Sequence, residues 1–274
     1  MNYNQLRNSI FEKKNFLCVG LDPDYEKIPN SLKVIPLTQF EFCKKIIDAV
    51  APYCIAFKPN TAFFEERGIE GWASLERTIE YIKKNYPNHF TIADAKRGDI
   101  GNTAEAYAKT FLKNFNFDSV TISPYMGRDS ILPFLKYKGK WSIVLALTSN
   151  ESADDLETKK LQNSSTNFEE VINFTLKLGT KENTMFVVGA TRPNDLKYIR
   201  NIIPDHFLLI PGIGAQGGNL MDVVENAWNK DCGILVNASR SIIFASSHDD
   251  FAEAAGAEAK KIATGMSNFF RQIR

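Results

Sequence analysis

A closed barrel of eight parallel strands, each followed by a helix, is the fold this chain predicts: the α/β class, as a (β/α)8 TIM barrel. Three observations point there. Short apolar runs alternate with amphipathic stretches along the sequence, and such alternation builds a parallel sheet. The runs number eight and their repeats fill roughly 250 residues, the count and size of such a barrel. Several runs are almost continuously apolar, as strands covered on the outside by helices must be. An open, doubly wound sheet is the alternative with the same alternation. The pattern fits one barrel domain over residues 1–274.

The elements follow in order. Strand one is F-L-C-V-G-L (16–21), with a helix over 40–51. Strand two is Y-C-I-A-F-K (53–58), with a helix over 71–85. Strand three is H-F-T-I-A-D (89–94), with a helix over 102–115. Strand four is S-V-T-I-S (119–123), with a shorter helix over 129–136. Strand five is W-S-I-V-L-A-L (141–147); a long polar connection, 148–167, precedes its helix over 168–178. Such a connection is a lid or binding element, or else disordered. Strand six is M-F-V-V-G-A (185–190), with a helix over 194–201. Strand seven is F-L-L-I-P (207–211), with a helix over 220–229. Strand eight is C-G-I-L-V-N (232–237), and a helix over 252–273 closes the chain. Apolar residues at three- and four-residue spacing support the longer helices.

Composition narrows the function. Of 274 residues, 44% are hydrophobic, ample for a sizeable core. A net charge of +1 gives no sign of a surface built for nucleic acid. The first residues, M-N-Y-N-Q-L-R-N-S-I-F-E-K-K, hold no apolar signal core, and no run is long enough to span a membrane. A soluble, cytoplasmic protein is expected. Cys18, Cys43, Cys54 and Cys232 form no C-x-x-C, and His89, His206 and His248 stand apart. Closed-site metal spacings are therefore missing, and no metal is expected.

In a barrel of this kind the active site gathers at the carboxyl ends of the strands. Strand one ends in Asp22, strand two in Lys58 and Asn60, and strand three in Asp94 and Lys96. Strand five ends in Thr148, Ser149 and Asn150; strand seven runs into P-G-I-G-A-Q-G-G-N, and strand eight into N-A-S-R-S with Arg240. Any one of these is a solvated strand end or a helix cap. Together they bring carboxylates and ammoniums from three adjacent strands to one place. Asp94 and Lys96 lie two apart, so a regular strand points both to one face. Lys58 on the neighbouring strand lies across from them. Unit charges ~4 Å apart interact by about 4 kcal/mol at an effective dielectric of ~20, enough to keep all three ionised and to fix their geometry. Arg97 should point away from Lys96 by the same alternation, into a salt bridge outside the site. Asp99 follows the break at Gly98 and either starts the next helix or projects into a site with Thr103. The glycines at 212, 214, 217 and 218 let backbone N–H groups approach a ligand. The loops after strands seven and eight are the common phosphate site of such barrels, and Arg240 would supply a bidentate guanidinium.

The run D-A-K-R-G-D-I-x-x-T (94–103) resembles the D-x-K-x-x-D signature of the orotidine 5'-phosphate decarboxylase family. The likeness extends through L-D-P (21–23), F-K-P-N (57–60), T-S-N (148–150), P-G-I-G-A-Q-G-G (211–218) and S-R-S (239–241). F-K-P-N-T-A-F-F and T-S-N resemble the longer, type 2 subgroup. The resemblance implies a homodimeric (β/α)8 barrel that converts orotidine 5'-phosphate to UMP and CO2 without a cofactor. By motif, Lys58, Asp94 and Lys96 would form the charged array, with Lys96 the proton donor. Asp99 would complete it from the partner subunit, with Ile100 and Thr103 beside it. Asp22 and Asn60 would contact the ribose, and Thr148 and Ser149 would lie near the pyrimidine. Gln216, Gly217 and Arg240 would hold the phosphate, with Pro211 near the ring. Ser239 stands where many members have Gly, which alters fine geometry and leaves a backbone N–H contact in place.

Two other readings share parts of this pattern. Sugar-phosphate decarboxylases of the 3-keto-gulonate 6-phosphate type share D-x-K-x-x-D but use magnesium. That chemistry wants an acid where this chain has Lys58, whose ammonium would repel the ion. A catalytically dead nucleotide-binding protein is the other, and the full set of charged residues argues against it.

Overall fold

The computed structural model describes residues 1–212 and 219–272. Eight parallel strands form a closed barrel in sequence order: β1 Leu17–Leu21, β2 Ala56–Pro59, β3 Phe90–Arg97, β4 Ser119–Ile122, β5 Trp141–Leu147, β6 Thr184–Val188, β7 Phe207–Pro211 and β8 Ile234–Ala238. β1 pairs with β8 through Cys18 opposite Asn237, which closes the ring and excludes the open sheet. Around it run α1 Tyr3–Lys13, α2 Thr38–Val50, α3 Thr61–Glu65, α4 Gly68–Asn85, α5 Gly101–Lys109, α6 Leu132–Leu135, α7 Asn167–Leu176, α8 Pro193–Ile202, α9 Leu220–Ala227, α10 Arg240–Ile243 and α11 Phe251–Gln272.

Strand residues are buried on both faces through β1, β4, β6 and β8, which is why the strands read as apolar runs. Several boundaries differ from expectation. β2 starts at Ala56 because Ala51–Tyr53, with Pro52, forms a 3-10 turn. β3 continues past Asp94 to Arg97. The helix expected over 102–115 is α-helical only to Lys109 and then widens into a π turn, Thr110–Asn114. The one expected over 129–136 is a 3-10 turn, Gly127–Ser130, followed by the four-residue α6.

α1 was not expected at all. It is capped by a reciprocal pair, Asn2 and Gln5, and buries Tyr3, Leu6 and Ile10. Tyr3 stacks on Trp141 and meets the edge of Phe207, and Trp141 also packs edge-on against Phe90. Beside them the buried carboxylate of Asp118 receives the Met1 amino group and Lys83, each at 2.7 Å, and the Thr91 N–H at 2.9 Å. This end of the barrel is sealed, so the opposite, carboxyl ends of the strands are left for a site.

The 148–167 connection follows a defined path. Glu151–Asp155 is a 3-10 turn, Lys160 and Thr166 form an antiparallel bridge, and Thr166 and Glu169 make the reciprocal cap of α7. Among the described residues no helix is long and apolar enough to cross a membrane.

Candidate active site

Register brings the charged residues together. Gly20 of β1 lies opposite Lys58 of β2, and Asn60 bridges to Asp94 of β3. Lys58 Nζ donates to Asp94 Oδ2 at 2.7 Å, and Lys96 Nζ donates to Asp94 Oδ1 at 2.6 Å. The result is an ammonium–carboxylate–ammonium array. Its members differ in access: the side chain of Lys58 is 5% exposed, that of Asp94 11% and that of Lys96 52%. Burial alone would raise the Asp94 carboxyl, but the charges of Lys58 and then Lys96 outweigh it and hold it far below the usual carboxylate range. Burial likewise opposes the charge on Lys58, and the carboxylates of Asp94 and Asp22 more than restore it, raising that ammonium above its ordinary value.

The expected geometry comes about by a different local route. Lys96 has φ +46°, in the left-handed region, so a plain pleat does not set its direction. The β3–β4 register shifts there: Ala93 pairs with Val120 and Arg97 with Ile122. Residues 94, 95 and 96 thus face the single residue Thr121. Thr121 Oγ1 accepts the Lys96 N–H at 2.9 Å and donates to Asp94 Oδ1 at 3.0 Å. Arg97 turns outward, pairs with Glu65 of α3 and lies over the rings of Tyr107 and Phe111.

A cavity of about 160 Å³ opens above the array. Asp22, Lys58, Asn60 and Asp94 line it together with Pro211, Gly212, Asn237, Ser239, Arg240 and Ser241. Six of the expected residues therefore meet around one space, with Lys96 joined to them through Asp94. Asp22 Oδ1 and Asn237 Oδ1 are buried without a hydrogen-bond partner, acceptors that a ligand's hydroxyl groups could satisfy. Asn60 also caps α3, its Oδ1 accepting the Ala62 N–H at 3.3 Å.

Other expected residues lie elsewhere. Thr148 and Ser149, at the end of β5, do not line this cavity. The Glu157 carboxylate accepts the Thr148 N–H at 2.6 Å and its hydroxyl at 2.9 Å. Asp99 is half-buried and uses Oδ1 to accept the Ile100 N–H at 2.8 Å, while Ile100 and Thr103 are exposed. Among the described residues no hydrogen bond joins Asp99 to the array. Gln216 and Gly217 lie outside the described residues.

Thr121, Asn237 and Ser241 were not singled out from the sequence, and Ser239 was marked only as a departure from the family pattern. Ser119 and Thr121 alternate on one face of β4, a pattern that does not by itself mark a site residue. The structure pairs Ser239 with Gly20: a Cβ on Gly20 would fall 1.8 Å from Ser239 Oγ. A second cavity, about 420 Å³, is lined by Tyr125, Leu145, Leu156, Phe168 and Phe174 and contains no member of the array. Among the described residues no group of three or more His, Cys, Asp or Glu is placed to hold a metal ion.

The model of the Orotidine 5'-phosphate decarboxylase / HUMPS family matches residues 15–255. An orotidine 5'-phosphate decarboxylase of Phocaeicola vulgatus is 52% identical over 99% of this chain and 100% of its own length. One from Bacteroides fragilis is 50% identical over the full length of both chains. Among solved structures, the OMP decarboxylase of Leishmania donovani superposes with a TM-score of 0.79 at 33% identity, covering 97% of this chain and 99% of that one. The orotidine 5'-monophosphate decarboxylase of Plasmodium berghei gives 0.81 at 25% identity, covering 95% and 97%.

Proposed function

The chain belongs to the orotidine 5'-phosphate decarboxylase / HUMPS family, and from that premise we propose how its residues convert orotidine 5'-phosphate to UMP and CO2, the last step of de novo pyrimidine nucleotide biosynthesis. The enzyme is a carboxy-lyase, and the proposed reaction uses no cofactor. The observation that carries the reading is the Lys58–Asp94–Lys96 array beside the cavity. Loss of CO2 leaves an anion on the ring carbon that bore the carboxylate. An ammonium already fixed beside that carbon stabilises the charge as it develops and then protonates it. Lys58 is sealed beneath Asp94, whereas Lys96 is half exposed and has N–H groups to spare after its bond to Asp94. Lys96 is therefore the proton donor, and Asp94 faces the departing carboxylate.

Binding falls to the rest of the set. Asp22 and Asn60 hold the ribose, Pro211 lies near the ring, and Thr148 and Ser149 lie near the pyrimidine. Arg240 grips the phosphate with Gln216 and Gly217. Energy from that remote grip serves the reacting carbon. Asp99, with Ile100 and Thr103, completes the array of a second subunit in a homodimer. The whole of 1–274 acts as one decarboxylase domain in the cytoplasm.

The test is direct. Purified protein given orotidine 5'-phosphate, with and without a chelator, should yield UMP at equal rates; sensitivity to chelator would favour the magnesium-dependent sugar-phosphate chemistry instead. Lys96→Ala should fold, by its thermal transition, and lose at least about 10³-fold in turnover followed by orotidylate absorbance. A near-wild-type rate would remove Lys96 from its role.

A further inference from the structure

We propose that Thr121 is the positioning residue of the decarboxylation site, setting the Asp94 carboxylate and the Lys96 ammonium relative to one another through a single hydroxyl. The proposal rests on the functional reading above. Its starting point is the bulge in β3, where Asp94, Ala95 and Lys96 together oppose Thr121. Bulges leave backbone groups out of the ladder and re-aim side chains. Here the residue re-aimed is Lys96, held at φ +46°, a conformation costly for a residue with a Cβ and kept only where the surroundings enforce it.

Thr121 supplies that enforcement. It is 1% exposed, so its bonds are not shared with bulk water. Its oxygen accepts the Lys96 N–H at 2.9 Å, a donor that the register shift removes from the regular ladder. Its proton goes to Asp94 Oδ1 at 3.0 Å, the oxygen that also accepts Lys96 Nζ. Lys58 holds the other oxygen, Oδ2. Three donors thus fix the rotation of the carboxylate, and the one from Thr121 also anchors the backbone from which Lys96 rises. No second side chain bonds both to the Lys96 backbone and to Asp94 among the described residues. Without the hydroxyl, the two ammoniums still attract Asp94, but the kink at Lys96 loses its support and its N–H is left unpaired. The expected defect lies in the chemical step, because Thr121 does not line the cavity and its hydroxyl bonds only to Asp94 and the β3 backbone.

Thr121→Val keeps the branched shape and removes the hydroxyl; Thr121→Ser keeps the hydroxyl. Both are assayed with Lys96→Ala for kcat and KM, with UMP affinity measured by calorimetry. Thr121→Val should lose about 10- to 100-fold in kcat, with KM and UMP affinity within about twofold of wild type, and Thr121→Ser should stay within about threefold in kcat. If Thr121→Val does not fold, Thr121→Ala takes its place in the comparison with Ser. Equal kcat for the variant with and the variant without the hydroxyl overturns the proposal, as does a loss confined to KM. Turnover abolished by Lys96→Ala but retained by Thr121→Val overturns this proposal alone; turnover retained by Lys96→Ala takes the donor assignment with it.

Discussion

Asp94 and Asp118 are both carboxylates buried between two cations, and position separates their work. Asp94 stands at the cavity with one neighbour, Lys96, half exposed. Asp118 stands at the sealed end, with Lys83 and the Met1 amino group filling its oxygens. Burial would raise the Asp118 carboxyl, but the charges of Lys83 and the amino terminus prevail and lower it. A carboxyl lowered by folding contributes stability above its unfolded value of about 3.9, and loses that contribution as pH falls through the folded value. Asp118→Asn should therefore cost about 3 kcal/mol, reduced somewhat by the partial exposure of Lys83. The gap between wild type and variant should stay level from about pH 5 to pH 7 and narrow below about pH 4. Denaturant unfolding across that range checks it, and a gap that widens in acid would contradict the assignment. The charged residues of the array were legible because ionisable side chains ending apolar strands demand an explanation. Thr121 was not, since a threonine is at home in any strand, and nothing in the letters D-A-K marks the lysine as left-handed.

Elements were legible in proportion to how fully they are covered. The eight strands stood out because the barrel interior and the surrounding helices bury both their faces. α1 carries a thinner signal: Tyr3, Leu6 and Ile10, at helical spacing behind the Asn2–Gln5 cap, are the only buried residues of its eleven. α3 is five residues long and α10 four, below the length at which periodicity exists. The turn between β8 and α10 shows what such short pieces do. Ser239 points at β1, its Oγ accepting from Asn237 Nδ2 at 3.2 Å, and Gly20 is the residue that leaves it room. A Cβ at position 20 would lie 1.8 Å from Ser239 Oγ, 2.8 Å from Ser239 Cβ and 3.2 Å from Asn237 Oδ1. Gly20→Ala should cost about 1–3 kcal/mol by overpacking and raise KM through Ser239 and the adjoining Arg240. Adding Ser239→Gly should recover most of the loss, leaving only the tight approach to Asn237. Thermal midpoints of the single and double variants decide it: additive losses would mean that the two positions do not share this space.

At the scale of the whole molecule, three of the residues left outside the cavity, Asp99, Ile100 and Thr103, lie together at the start of α5. Asp99, Ile100 and Thr103 enter α5, which packs beside α6 and the turn that precedes it. Ile100 is 53% exposed, and Tyr125, Met126 and Leu132 on the neighbouring segment are 78%, 47% and 38% exposed. Exposed apolar side chains rimmed by polar ones mark interaction surfaces, and a two-fold interface would present the same surface of each subunit to the other. In the proposed homodimer Asp99 would reach the array of its neighbour, in keeping with its bonding to the Ile100 N–H and not to the array of its own barrel. The consequence is arithmetical. In a hybrid of Lys96→Ala and Asp99→Ala subunits, the site on the Lys96→Ala subunit lacks both groups. The site on the Asp99→Ala subunit keeps its own Lys96 and receives an intact Asp99. Random exchange at equal concentrations makes half the dimers hybrids with one good site in two, so activity should rise from near zero towards about a quarter of wild type. If Asp99 served its own subunit, every site in every dimer would carry one lesion and mixing would restore nothing. Exchange is followed independently by mass-tagging one variant, so an inactive mixture with proven hybrids would place Asp99 in its own barrel.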